Sequence, residues 1–98
     1  MKFLQIIDYV TTRPDEVETL SEKFRADAGA AATTERVQIT QDRDRPGHYL
    51  VIAEFPSYDA AMANSALPAT QEFAARMMEL CDGPPTFYNL DLVRTETY

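Results

Sequence analysis

The apolar patterns along these 98 residues predict an α+β domain with the element order strand, helix, strand, strand, helix, strand. Three observations carry that prediction. Two segments, 2–10 and 48–55, are apolar at both parities, the pattern of strands covered on two faces. A third, 34–42, alternates apolar and polar residues and so has one wet face. Two longer stretches repeat their apolar residues at helical spacing and begin at proline or at a capping residue. No linker or repeat divides the chain, and residues 1–98 read as a single domain.

In the first strand, Phe3, Ile7 and Tyr9 share one face with Gln5, while Leu4, Ile6 and Val10 share the other with Asp8. Thr12-Arg13-Pro14-Asp15-Glu16 then starts a helix. It offers a hydroxyl near the cap, proline in the first turn and acids facing the positive end of the macrodipole. Val17, Leu20, Phe24 and Ala28 continue it, and Gly29 is placed to end it, giving a helix over 14–28. In the second strand Val37 and Ile39 alternate with Arg36, Gln38 and Thr40, as an edge strand does. Asp42-Arg43-Asp44-Arg45-Pro46-Gly47 is a charged turn. The third strand puts Leu50 and Ile52 on one face, with Tyr49, Val51, Ala53 and Phe55 on the other.

Pro56-Ser57-Tyr58-Asp59 opens the second helical region with Ser57 as N-cap. Leu67-Pro68 interrupts it, because proline lacks a donor and disfavours helical backbone in the residue before it. The prediction is a short helix over 58–65, a kink, and a longer helix over 68–81. In the longer one Phe73, Met77, Leu80 and Cys81 form the apolar stripe, and Glu72, Arg76 and Glu79 face water. Asp82-Gly83-Pro84-Pro85 stops it, and a last strand over 87–94 carries Tyr88, Leu90 and Leu92 on one face.

This order is the ferredoxin-like βαββαβ unit. Right-handed crossovers place the first and third strands at the centre of a four-stranded antiparallel sheet, with the second and fourth at its edges. The helices can cover only one face. Leu4 or Ile7, and Leu50 or Val51, would then lie on the other face in water, each forfeiting roughly 1.5–3 kcal/mol. A second copy of the chain, sheet against sheet, is the expected cover, so the sequence predicts a homodimer.

Sixteen acidic against nine basic side chains give a net charge of −7. Such a surface repels phosphate backbones and anionic lipid, so neither nucleic acid nor membrane is an expected partner. No stretch approaches the roughly 20 apolar residues of a membrane span. Asp8 comes too early for a signal peptide, and the single Cys81 suits a reducing compartment. The expected localisation is cytoplasmic. There is no C-x-x-C, no H-E-x-x-H and no glycine-rich phosphate loop, so no metal and no cofactor are expected. The turn at Asp42 and Asp44 has the start of a calcium loop, but Ala53 stands where its bidentate acid belongs.

The run Ala53-Glu54-Phe55-Pro56-Ser57-Tyr58-Asp59-Ala60-Ala61, followed by Asn64 and the spacing from Pro68 to Phe73, carries a family resemblance. It resembles the E-W-x-S-x-x-A pattern of the antibiotic biosynthesis monooxygenase-like proteins, within the dimeric α/β-barrel superfamily. Phe55 stands where that family often has Trp, and Asn64 where many members have His. The resemblance implies a dimeric α/β barrel and a polar group facing the ligand at Asn64.

His48 is the only side chain whose ordinary pKa lies near neutrality, and as a general base it would have to face a cavity. Its place at a strand start beside the charged turn suits a rim position. Asn64 could donate to a carbonyl or enolate oxygen, or could instead cap the end of the short helix. Asn64 and His48 are thus the candidate catalytic residues. Tyr9, Tyr49, Phe55, Tyr58 and Phe73, with Tyr88, are candidate walls for a small apolar or aromatic molecule. Cys81, on an apolar stripe, reads as a small core residue.

Three readings follow for a chain with this resemblance. One is a cofactor-independent monooxygenase acting on an electron-rich, quinol-type aromatic molecule, which supplies its own electrons to oxygen once deprotonated. Another is a non-catalytic dimer that binds a small ligand or a partner through the same cavity. The third, haem degradation, needs an axial histidine on the second helical region, and residues 57–82 contain none.

Overall fold

The computed structural model describes residues 1–98. The chain folds as β1 (Phe3–Val10), α1 (Pro14–Ala28), a 3-10 turn (Gly29–Ala31), β2 (Arg36–Gln41), β3 (His48–Phe55), α2 (Tyr58–Ser65), α3 (Pro68–Leu80) and β4 (Thr86–Asp91). All three ladders are antiparallel, in the order β2-β3-β1-β4. This is the expected ferredoxin-like arrangement, with β1 and β3 central. β4 is shorter than its apolar pattern because β1 runs out of partners. Leu92 N–H still reaches the Lys2 carbonyl at 2.9 Å, and the chain leaves the sheet beyond it.

Register assigns the two faces. Phe3, Gln5, Ile7 and Tyr9 lie opposite Phe55, Ala53, Val51 and Tyr49 of β3. Residues paired across a ladder share a face, and the helices lie over this one. Phe3, Ala53 and Phe55 are buried there with Ala61 of α2, and the Phe3 ring meets Tyr58 edge-on at 5.3 Å. α1 packs beside α3, with the Phe24 and Phe73 rings 5.0 Å apart. Leu4, Ile6, Val10, Leu50 and Ile52 point to the opposite face, where no helix lies, and none of them is buried. Tyr88 and Leu90 of β4 join that face at 47% and 42% exposure. Only nine residues of the single chain are buried, a thin core for this length, with apolar side chains left uncovered on the open sheet face and at the edge strands.

The junctions are tied more firmly than the middle. Thr11, the most deeply buried polar residue, donates from Oγ1 to the Leu80 carbonyl at 2.7 Å and accepts from Arg13 N–H at 3.0 Å. Its own N–H donates to the Gly47 carbonyl at 3.0 Å. One residue therefore joins the start of α1, the β2–β3 turn and the end of α3. The hydroxyl expected near this cap was that of Thr12. The structure uses Thr11 instead, while Arg13 holds the N-cap position without a side-chain bond. Gly47 makes that approach possible with φ of +81°, a left-handed conformation in the turn. Thr11→Val keeps the shape but leaves a buried N–H and a carbonyl unmet. Urea denaturation should show a loss of about 1–3 kcal/mol, and an unchanged midpoint would mean the clamp carries no net stability.

Candidate active site between sheet and helices

On the helix-facing side of the sheet, the two ends are more deeply buried than the centre. Ile7 and Val51, paired at the middle of β1 and β3, remain partly exposed beneath the helices. Phe3 and Phe55 at one end, and Tyr9 at the other, are buried. Thr70, Met77 and Cys81 recur at helical spacing along α3 and are each part-buried. Just past Cys81, the Asp82 N–H donates to the Val10 carbonyl at 2.8 Å, which brings the end of α3 to the Tyr9 end of β1. α3 thus runs above the floor from the Asn64 end to the tyrosine end.

Asn64 is buried in the last turn of α2, 7% exposed. Its Oδ1 accepts from Thr33 N–H at 3.2 Å, and Thr33 Oγ1 donates to the Ala60 carbonyl at 2.7 Å. Only the amide oxygen can meet a backbone N–H, so this bond fixes the orientation of the side chain. The Nδ2 donor is left without a partner in the chain and is not sealed from solvent. Ala66 occupies the C-cap position of α2, so the Asn64 side chain does not cap its own helix; it fastens the loop after α1. At the helix start Ser57 does act as N-cap, accepting from Ala60 N–H at 3.1 Å.

At the far end the Tyr9 and Tyr49 rings stack at 5.7 Å. Burial, with smaller contributions from Cys81 and Tyr49, pushes the Tyr9 hydroxyl up to about 12. Burial, aided by Asp82, also raises the Cys81 thiol, which therefore remains protonated at neutral pH. Gln5, between Phe3 and Ile7, donates from Nε2 to Asn89 Oδ1 at 3.1 Å.

The other candidates are scattered. Phe55 packs into the core cluster with Phe3, while Tyr58 is 53% exposed. Phe73 lines, with Phe24 and Leu20, a groove of about 440 Å³ between α1 and α3. Tyr88 belongs to the open sheet face. His48 also lies on that open face, paired with Val10, with Nδ1 3.9 Å from Asp8 Oδ1 and without a hydrogen bond. Arg45 holds Asp42 at 2.7 Å and reaches Asp8 at 3.5 Å beside it. Asn64 and His48 therefore lie on opposite sides of the sheet and do not meet on one reacting group within a chain.

Two participants were absent from the sequence reading. Gln5 was legible only as a polar residue on the face of Phe3, Ile7 and Tyr9, one of two apolar faces of the strand. Thr33 gave no signal, since a threonine after an alanine-rich connection looks like any loop residue.

No protein-family profile matches this sequence, and no curated protein matches it. Solved structures do. A protein assigned as an antibiotic biosynthesis monooxygenase from Caulobacter crescentus superposes with a TM-score of 0.81 at 20% identity, over 95% of this chain and 91% of that one. SnoaB, a cofactor-independent oxygenase from Streptomyces nogalater, determined as an asparagine-to-alanine variant, gives 0.80 at 18% identity over 96% and 95%. Rv0793 from Mycobacterium tuberculosis gives 0.78 at 16% identity over 99% and 100%. The fold is that of an α+β, ferredoxin-like domain, and specifically that of the antibiotic biosynthesis monooxygenase proteins.

The tyrosine end yields a pH prediction. A raised pKa favours the protonated form in the folded state, so Tyr9 contributes stability that is fully present below its unfolded pKa near 10 and lost as pH rises toward about 12. Absorbance titration at 295 nm should show one late tyrosinate step, which Tyr9→Phe removes. A titration unaltered by Tyr9→Phe would show that Tyr9 is not desolvated.

Proposed function

We propose that this protein is a cofactor-independent monooxygenase of small electron-rich aromatic molecules, working as a cytoplasmic homodimer. The observation that carries the reading is Asn64, a buried amide whose oxygen is held by Thr33 while its NH₂ has no partner in the chain. Such a donor stabilises a phenolate or enolate oxygen in a water-poor space, and so favours the deprotonated substrate. That anion gives electrons to O₂. One oxygen atom stays on the substrate carbon, and the other leaves as water with two substrate hydrogens, so no outside reductant is needed. The protein's part is to bind, orient and stabilise the anion. The similarity to a cofactor-independent oxygenase supports the chemistry, and that structure bears a substitution of an asparagine, the residue type found here at position 64.

The open sheet face supports the dimer. Ile6 lies at its centre between Ile52 and Tyr88, where a helix would otherwise be needed. A second reading, a ligand-binding dimer without chemistry, draws support from His48, which lies across the sheet and leaves no neutral-range base beside Asn64.

Oxygen-electrode assays with a panel of naphthols and hydroquinones, without flavin or metal, separate the two. Oxygen uptake above the uncatalysed rate is expected. Asn64→Asp retains an acceptor for Thr33 N–H but removes the free donor, and should lower turnover by about 10²–10³-fold with the fold intact. Saturable binding without uptake would establish the binder instead. For assembly, Ile6→Lys sets a charge in the proposed interface and should turn a sedimenting dimer into a monomer. A variant that stays dimeric would place the interface elsewhere.

A further inference from the structure

Two parts of this chain lack a partner, and they match each other. β2 is an edge strand, and all six of its residues are exposed. Val37 and Ile39, opposite Ala53 and Val51, stand on the helix side of the sheet at 52% and 60% exposure, so no helix covers them. The second part follows β4. Residues 93–98 make no backbone hydrogen bond, Val93 is 85% exposed and Tyr98 is fully exposed. Val93, Thr95, Thr97 and Tyr98 are all residues that favour strands.

Hydrogen-bonding parity fixes which way each backbone points, because residues of an antiparallel ladder alternate between bonding to their neighbour and turning away from it. Asp42 N–H donates to the His48 carbonyl at 2.9 Å. The even residues of β2 therefore turn toward β3, and Val37 and Ile39 turn off the edge of the sheet. Leu92 N–H donates to the Lys2 carbonyl at 2.9 Å, so Val93 and Thr95 turn away from β1 at the same period. Both segments are thus free to pair at their odd residues. An antiparallel pairing that sets Val93 opposite Ile39 and Thr95 opposite Val37 also sets Glu96 opposite Arg36. Arg36 has no ion pair in its own chain, since Glu54 across the ladder lies 3.5 Å from Lys2. Glu96 is held only within its own segment, by Arg94 at 2.9 Å and the Tyr98 hydroxyl at 2.9 Å.

Side-chain faces agree as well. Arg36 and Gln38 share the open face with Glu54 and Ile52, and Arg94 and Glu96 continue the parity of Tyr88 and Leu90 on that face. Two sheets meeting through their open faces keep this parity unbroken across such a junction. The chain's own β2 is not the partner. β2 and β4 are opposite edges of one sheet, and a segment continuing β4 runs along the sheet and not across it.

We infer that residues 93–96 of one copy add as an antiparallel strand to the β2 edge of a second copy, and reciprocally, with Val93 on Ile39 and Glu96 on Arg36. The inference rests on the proposed homodimer, and it adds the residues that join the two sheets at their edges. Pairing of this kind also protects an exposed edge strand from association with other chains.

Sedimentation equilibrium tests it on the wild type, a variant lacking residues 93–98, Ile39→Lys, and the two changes together. Each single change should weaken the dimer by roughly tenfold or more. The combination should weaken it little further, because both changes remove one contact. Far-UV circular dichroism should stay unchanged, since Ile39 is exposed and the deleted residues hold no hydrogen bond to the rest of the chain. An unchanged dissociation constant in either variant, or losses that multiply in the combined one, would overturn the inference and leave the homodimer in place. Oxidised Ile39→Cys/Val93→Cys, in a Cys81→Ala background, should run as a covalent dimer under denaturing conditions. A disulfide closed within one chain, or none, would overturn the pairing. A monomeric wild type would overturn both readings.

Discussion

β1 and β3 carry apolar side chains on both faces, while the chain has helices for only one of them. That mismatch organises the molecule. Leu4, Ile6, Leu50 and Ile52 cannot reach α1 or α3 from the far side, because the period of a strand is two and register fixes which parity turns inward. A sheet of this kind has to find its second cover outside its own chain, or stand in water with its centre uncovered. The low number of buried residues in one chain is in keeping with the same constraint.

The helix layer meets its side of the sheet mainly at the ends. Thr11 ties the β1–α1 junction to the end of α3, and Thr33 ties the loop after α1 to Ala60 and Asn64 of α2. Aromatic contacts sit at the same two places, Phe3 with Phe55 and Tyr58 at one end and Tyr9 with Tyr49 at the other. Between them Ile7 and Val51 are held beneath the helices without being closed off. The tightest fastenings thus lie at the two ends, and the centre is the less buried part of this side of the sheet.

The architecture was legible because it depends on patterns that single residues reveal. Double-sided apolarity marked β1 and β3 as central, Leu67-Pro68 marked the break between α2 and α3, and Ser57 marked its helix start. Strand ends were less legible, since residues 92–94 continue an apolar alternation after their hydrogen-bonding neighbour has ended. The site was legible only in part. Asn64 was picked out by the family resemblance and by its place near the end of the short helix, but its bond to Thr33 joins positions in different elements, and neither local pattern encodes the pairing. Likewise, His48 has a parity that places it on the face of Leu50 and Ile52, and that parity was visible. Which of the two faces the helices would take was not, because both were apolar.

Asn64 shows why site and fold are not separable here. Its amide has one oxygen and one nitrogen, and the fold uses the oxygen to secure Thr33. The same bond prevents the amide from flipping, so the nitrogen is presented as a donor at all times and not only when a ligand selects it. Pre-organisation of this sort is worth more to binding an anion than the donor alone, because no reorientation accompanies charge development. A histidine at this position could also donate, but its proton would come and go near neutral pH. An amide cannot titrate. The donor that Asn64 offers is therefore independent of pH, and on the proposed function any pH dependence at that donor would belong to the substrate.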